Sequence, residues 1–217
     1  MTVVRKRRPA DTPRLDAAAW TETALEFLAT GGIDGVRIEL LAKRLEVTKG
    51  SFYWHFKDRD ALHDSMLSLW RRRATLSLIE RLDKGEQSPE ARFRRLLRLP
   101  IVGTRSAMAA DVELAIRLWG RRDPRAQAVL EEVDNLRLHY IGGLLRECGI
   151  IEAEARPRAI LAYSYMRVAA TLIPGDGQHL MEQCEDIMLG ISRTPEDGSP
   201  RKGRGGSRNP IKGVISS

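Results

Sequence analysis

Apolar residues along the chain recur at spacings of three and four, and β-branched runs are short, so the chain reads as almost entirely helical. Thr12 followed by Pro13 is a start signal, because a proline at the first helical position has no N–H to leave unpaired. Ala17, Trp20, Ala24, Phe27 and Leu28 then form one apolar stripe, which Gly31 and Gly32 end. Ile38, Leu41, Ala42 and Leu45 repeat the pattern over a shorter stretch. A third helix opens at Thr48, where Val47 before the cap and Phe52 after it are placed as a hydrophobic staple and Phe56 extends the buried face. Asp58 caps a longer helix, whose stripe runs through Leu62, Met66, Leu69, Trp70 and Arg73 toward Leu82 and stops at Lys84 and Gly85.

Ser88 and Pro89 repeat the cap-and-proline signal and open a helix that Pro100 kinks or ends. Another is predicted from about Ala107 to Trp119. Asp123 and Pro124 start the next, which carries Val129, Val133, Leu136, Tyr140 and Leu144. Two further helices follow, Glu154 to Ile173, with Pro157 as an alternative start, and Gln178 to Ile191. After Ser192 the chain is mainly Gly, Ser, Pro, Arg and Lys, too poor in apolar side chains to offset the entropy of ordering. The expected organisation is a basic disordered arm over 1–12, a helix-turn-helix unit over 13–58, a helical unit over 59–191 and a disordered basic tail over 192–217.

Charge changes this picture by its location. The chain has 36 Lys+Arg against 29 Asp+Glu, a formal +7. Residues 1–14 hold five bases and one acid, and residues 192–217 hold six bases and two acids, so each end carries +4 and the remainder −1. Arg5 to Arg8 is either an arm along DNA or a solvated extension. No apolar run approaches the roughly 20 residues that cross a bilayer. The basic start leads into Pro9 and Asp11 rather than an apolar stretch, so no signal peptide and a cytoplasmic location are expected. Cys148 and Cys184 lack metal or disulfide spacing and read as buried small hydrophobes. His55, His63, His139 and His179 show no metal spacing, and there is no Gly-rich phosphate loop; the expectation is a non-enzyme without metal or cofactor.

The segment Arg37 to Phe56 is two short helices around a tight turn. If Phe52 and Phe56 point inward, then at about 100° per residue Lys49, Gly50, Tyr53 and Trp54 lie on or near the opposite side. A DNA major groove suits such a face. Helix N-terminal amides at Thr48 to Ser51 fit a phosphate, Gly50 permits close approach, and Tyr53 and His55 have donors for phosphate oxygens. Lys49, Ser51 and Trp54 are placed for base edges or a thymine methyl. Spacing alone leaves a second possibility, a helical hairpin whose aromatics pack beneath a loop.

The stretch GGIDGVRIELLAKRLEVTKGSFYWHFKDRDAL, Gly31 to Leu62, with AAAWTETALEFLAT before it, resembles the DNA-binding signature of the TetR family of bacterial transcriptional regulators. ELAIRLWGRRDPR, Glu113 to Arg125, is similar to segments common in the family's regulatory domains. The resemblance implies an all-α protein, a three-helix DNA reader joined to a helical ligand-binding and dimerisation domain. It implies a ligand-responsive repressor that binds a near-palindromic double-stranded DNA operator as a homodimer, without membrane association. Thr48, Tyr53 and His55 match the family's phosphate contacts. Lys49, Gly50 and Ser51 match the base-proximal start of the recognition helix, and Trp54 matches a variable position that contributes to operator choice. Arg59 matches a basic residue touching the DNA backbone, with Lys57 a further backbone candidate. Trp70, Met108, Trp119, His139 and Tyr140 sit where family topology places a pocket between the fourth and seventh helices. The few polar residues on those stripes point to a largely apolar effector. Ala159, Tyr163, Val168, Ala169 and Leu172 make the late helices apolar on more than one face, as a two-fold bundle needs.

Two positions depart from the family pattern. Arg37 stands where Ser or Thr usually caps the second helix, a loss of about 1 kcal/mol unless Asp34 or a shifted start supplies the cap, and is instead available to a phosphate. Glu46 replaces the usual turn glycine, again at roughly 1 kcal/mol if the turn needs positive φ. A competing function is a nonspecific nucleoid-type binder that uses the two basic ends and has no effector.

Overall fold

The computed structural model describes residues 16–75, 79, 82, 88–100, 104–173 and 177–191. Among these the chain is all-α, with helices α1 (Ala17–Gly35), α2 (Ile38–Arg44), α3 (Lys49–Phe52), α4 (Arg59–Ala74), α5 (Pro89–Arg98), α6 (Thr104–Gly120), α7 (Pro124–Glu147), α8 (Glu152–Leu172) and α9 (Gln178–Leu189). The expected start at Thr12 and Pro13, the basic arm and the basic tail lie outside the described residues. The cap seen on α1 is Asp16, whose carboxylate accepts from the Ala19 amide at 2.9 Å. Gly32, at φ 64°, breaks α1 where the paired glycines predict it.

Local capping chemistry accounts for most of the other starts. Asp58 accepts from the Ala61 amide, Ser88 from Ala91 and Asp123 from Arg125, and Pro89 and Pro124 occupy first-turn positions that need no donor. α5 stops before Pro100 as expected. Helix α8 starts at Glu152, so Pro157 lies inside it rather than at its start. Glu152 and Glu154 in the first turn favour that earlier start by their interaction with the helix dipole.

Two boundaries differ from the periodicity. α3 is a single turn that ends at Phe52, because Tyr53 to His55 form a turn; the Phe56 amide still donates to the Phe52 carbonyl at 3.0 Å. α4 ends at Ala74 instead of continuing to Leu82. Its C-cap, Thr75, leaves helical geometry at φ −123° and ψ −86°, and the Thr75 hydroxyl donates back to the Arg71 carbonyl at 2.7 Å.

The side chains form two cores. The first joins α1 to α4 with α6 and the start of α7, around Trp20, Leu28, Leu41, Phe52, Leu62 and Ile116, and runs across residue 58 without a break. The second joins α5, the end of α7, α8 and α9 around Phe93, Leu97, Ile141 and Leu144. A buried ion cluster clamps α5 to α9, with Arg98 on Glu185 at 2.6 Å and Arg94 on Glu185 and Asp186 at 3.1 and 2.6 Å. Cys148 and Cys184 are free thiols, half-buried rather than buried. One face of α8 packs inward through Ala159 and Tyr163, while Ile160, Leu161, Val168 and Leu172 are exposed, as are Leu180 and Ile187 of α9.

Three helices end in the same hydrogen-bonded motif with a left-handed residue. Amides of Val47, Ile150 and Ile191 donate to the carbonyls of Ala42, Leu145 and Asp186, five residues back, across Glu46, Gly149 and Gly190. Glu46, at φ 56°, is the only non-glycine with positive φ among the described residues. Glu46→Gly is therefore expected to stabilise the protein by about 0.5–1 kcal/mol, strain relief exceeding the added unfolded-chain entropy. Thermal unfolding checks this, and a lowered midpoint refutes it.

Candidate nucleic-acid interface

The reader is built on one aromatic stack. Phe52 is fully buried, edge-on to Trp20 at 5.4 Å and stacked on Phe56 at 5.4 Å, which fixes the roll of α3. α1 and α4 frame it through the Thr21 and Ser65 hydroxyls at 2.9 Å and an ion pair between Glu22 and Arg73. Val47 is partly buried against the same core, as the staple requires.

With Phe52 and Phe56 inside, Tyr53 is 56% and Trp54 88% exposed. A tryptophan that open contributes little to folding and presents nearly its whole indole to a partner. Thr48 takes the N-cap position of α3, but its side chain makes no capping hydrogen bond. Arg37 stands as the N-cap of α2, also without a side-chain bond, so the missing cap is real; Asp34 does not replace it and pairs with Arg122. Gly50 has room for a Cβ, its nearest neighbour being the Thr48 hydroxyl at 3.7 Å, so the fold itself does not demand glycine there. Thr48, Lys49, Gly50, His55 and Lys57 are exposed, and Ser51 is half-buried.

Two of the basic residues already have partners. Lys49 Nζ donates to Glu39 of α2 at 2.5 Å, which raises the lysine above its ordinary pKa and lowers the carboxylate. Arg59 is exposed but donates through Nη2 to the Ile33 carbonyl at 3.0 Å, tying the start of α4 to the broken end of α1. Any DNA contact by Lys49 exchanges Glu39 for the new acceptor.

The five residues expected around a pocket do not converge. Trp70 and Trp119 are buried in the first core, because both lie on stripes that face it; Trp119 donates to Asp123 at 3.2 Å and meets His63 edge-on at 5.0 Å. Burial holds His63 below the ordinary imidazole pKa. Met108 and His139 are exposed. Tyr140 alone of the five lines a cavity of about 40 Å³, together with Ala74, Leu96, Arg137, Tyr163 and Arg167.

Beside that cavity lies a charged cluster that the sequence reading missed. Glu113 receives Arg117 at 3.0 Å, Arg137 at 2.9 Å and Arg167. Asp134 receives Arg117 at 2.7 Å and the Tyr163 hydroxyl at 2.6 Å. Burial by itself would push the Glu113 carboxyl up, but the Arg137 and Arg167 charges outweigh it and bring the pKa down to about 2. Glu113 and Arg117, and Tyr163 and Arg167, are each four apart on one helix, the available sequence signal. The segment Glu113 to Arg125 also joins the two halves of the molecule. Arg122 pairs with Asp34 at 3.0 Å, and Arg125 with Asp60 at 3.0 Å and Asp64 at 3.3 Å. Gly120 allows the α6–α7 turn to close, since a Cβ there would lie 3.3 Å from the Gln127 Cα.

Among the described residues no cluster of three or more His, Cys, Asp or Glu is arranged to hold a metal, and no helix is long and apolar enough to cross a membrane. Residues 21–66 match the family model described as bacterial regulatory proteins, tetR family. The chain is 42% identical over 53 residues to the class C tetracycline repressor protein of Escherichia coli, covering 24% of each chain. It is 32% identical over 76 residues to the HTH-type transcriptional regulator YuxN of Bacillus subtilis (strain 168), 35% of this chain and 26% of that one. The chain thus spans about a quarter of the length of the curated relatives it matches. Its fold is similar to that of a transcriptional regulator from Rhodococcus sp. Rha1, with TM-score 0.64 and 19% identity over 82% of this chain and 95% of that one. It is also similar to AibR in complex with isovaleryl coenzyme A and operator DNA, with TM-score 0.56 and 18% identity over 81% of this chain and 96% of that one.

Proposed function

We infer, from the match of residues 21–66 to the model of bacterial regulatory proteins of the tetR family, that the chain is a ligand-responsive transcriptional repressor that binds a near-palindromic operator as a homodimer. The observation that carries this is the exposed Tyr53–Trp54 pair beside Lys49, held rigidly outward by the buried Phe52 stack. Thr48, Tyr53, His55, Lys57 and Arg37 supply phosphate contacts, and Lys49, Ser51 and Trp54, with Gly50 allowing close approach, read the bases. Arg59 contributes by holding the reader and offers its remaining donors to the backbone.

The exposed apolar residues of α8 and α9 supply the dimer face, Ile160, Leu161, Val168 and Leu172 meeting their two-fold copies. A dimer of this kind sets its two readers about 34 Å apart, or a multiple, for successive major grooves on one side of DNA. An effector acts by binding better to a dimer with another spacing, and only its differential affinity shifts the population. The ligand-bound state of a structural neighbour, AibR with isovaleryl coenzyme A, supports such a response. Arg122 carries it from the regulatory unit, residues 59–191, to the reader, residues 13–58, by pairing with Asp34, while Arg125 holds the start of α4 beside the reader by pairing with Asp60 and Asp64.

Binding to a palindrome from the gene's own upstream region against scrambled DNA at one fixed salt concentration tests the reading. The expected preference is about 10³-fold or more. A ratio near one removes the repressor and leaves a nonspecific nucleoid-type binder.

A further inference from the structure

The cavity next to the Glu113 cluster combines two chemistries. Its lining includes Arg137, Arg167 and Tyr163 together with Leu96, Ile141 and Met166. The cluster holds three guanidinium groups, Arg117, Arg137 and Arg167, against two carboxylates, Glu113 and Asp134, an excess of one positive charge. Arg137 is largely sequestered while Arg117 and Arg167 reach solvent, so the excess positive charge sits at the mouth of the cavity, where an incoming anion meets it. Both arginines already pair with a carboxylate, Arg137 donating from one guanidinium nitrogen at 2.9 Å to both Glu113 oxygens and Arg167 donating to the same group, so an incoming head group takes their remaining N–H donors. The size restricts the rest of the ligand: about 40 Å³ is room for a few water-sized groups, at roughly 10–15 Å³ each.

We propose that this cavity is the effector site and takes a short-chain carboxylate, the anionic head on Arg167 and Arg137 and the carbon chain against Leu96, Ile141 and Met166. The inference rests on the repressor reading above and gives its effector a chemical class, with a charged head where apolar stripes alone suggested a largely apolar molecule. The position also suits a signal. Arg137 Nε donates to the carbonyl of Ala74, the last residue of α4, at 3.0 Å, so the head group sits one side chain from the helix whose other end Arg59 fastens to the reader.

Calorimetric titration of the full chain with butyrate, butyramide and butylammonium tests the site. Butyrate is expected to bind saturably, butyramide at least about tenfold more weakly, and butylammonium not at all, since only the first offers a charge-assisted acceptor. Arg167→Gln should weaken butyrate at least about tenfold, with Arg167→Lys intermediate because it keeps the charge and loses the fork. Equal affinities for butyrate and butyramide, or no butyrate heat up to concentrations on the order of 10 mM, overturn the proposal. The three-probe comparison on the parent protein decides alone if Arg167→Gln does not fold. Operator preference is measured in parallel. Absent butyrate heats with preference intact remove the carboxylate site only, whereas lost preference with butyrate heats present removes the repressor and leaves the site.

Discussion

Glu113→Gln destabilises the protein by about 3 kcal/mol at pH 7, and the deficit shrinks as the medium is acidified. Glutamine keeps the shape of the side chain and one acceptor, so no cavity forms and the loss is electrostatic. Glu113 is 5% exposed and is the common partner of Arg117, Arg137 and Arg167. Without its charge, Asp134 is left as the one carboxylate of the cluster and pairs with Arg117, while Arg137, the most sequestered of the three guanidinium groups, loses its carboxylate partner. The pH dependence follows from the direction of the shift. A carboxyl moved from 4.5 down to about 2 in the folded chain contributes fully above its unfolded pKa and loses that contribution as pH falls through the folded one. The deficit of the variant should therefore narrow to about 1 kcal/mol near pH 3. Urea unfolding at pH 7 and pH 3, at one protein concentration because the proposed dimer would unfold with mass action, measures both values. A deficit below about 1 kcal/mol at pH 7, or one that does not change with pH, removes Glu113 as the electrostatic centre of its arginine cluster.

How much of this was legible in the sequence follows from how local each cause is. Asp58, Ser88 and Asp123 cap helices through amides two or three residues away, so the residues themselves announce the starts. The roll of α3 was legible for a similar reason: two phenylalanines four apart define the inner face and leave Tyr53 and Trp54 outside. Glu46 was legible as a question, whether the turn requires positive φ, and the left-handed residue after α2 answers it. The end of α4 was hidden, because Leu82 continues the apolar period and is buried while Thr75 breaks the backbone between them. Lys49 was seen without Glu39, and Arg59 without the Ile33 carbonyl, since both pairs join different helices. Enclosed space was the least legible feature. Periodicity marks which side chains leave water, and Trp70 and Trp119 do; it does not say which buried surfaces enclose space. That depends on the crossing of α6, α7 and α8, which also brings Glu113, Arg137 and Arg167 together from three stripes.

Trp54→Ala should erase most of the preference for the operator while leaving the fold untouched. At 88% exposure the indole has almost no buried surface to lose, so the unfolding midpoint should shift by less than the equivalent of about 0.5 kcal/mol. On DNA the expectation is reversed. A residue that contacts a base edge or a thymine methyl discriminates by about 1–3 kcal/mol, and the proposed homodimer would use it twice, so the preferred site loses roughly 2–6 kcal/mol while scrambled DNA loses little. Tyr53→Phe provides the contrast. It removes a single hydroxyl per protomer and keeps the ring edge-on to Phe52 at 5.2 Å, so the core is preserved. If that hydroxyl donates to a phosphate, every sequence should weaken alike, by about 0.5–1.5 kcal/mol per protomer. Binding isotherms for both variants on the operator, on single-base changes of it and on scrambled DNA, all at the same salt, separate the two roles. Parallel losses for Trp54→Ala and Tyr53→Phe across all three classes of DNA would refute the division of base and phosphate contacts along α3 and the turn after it.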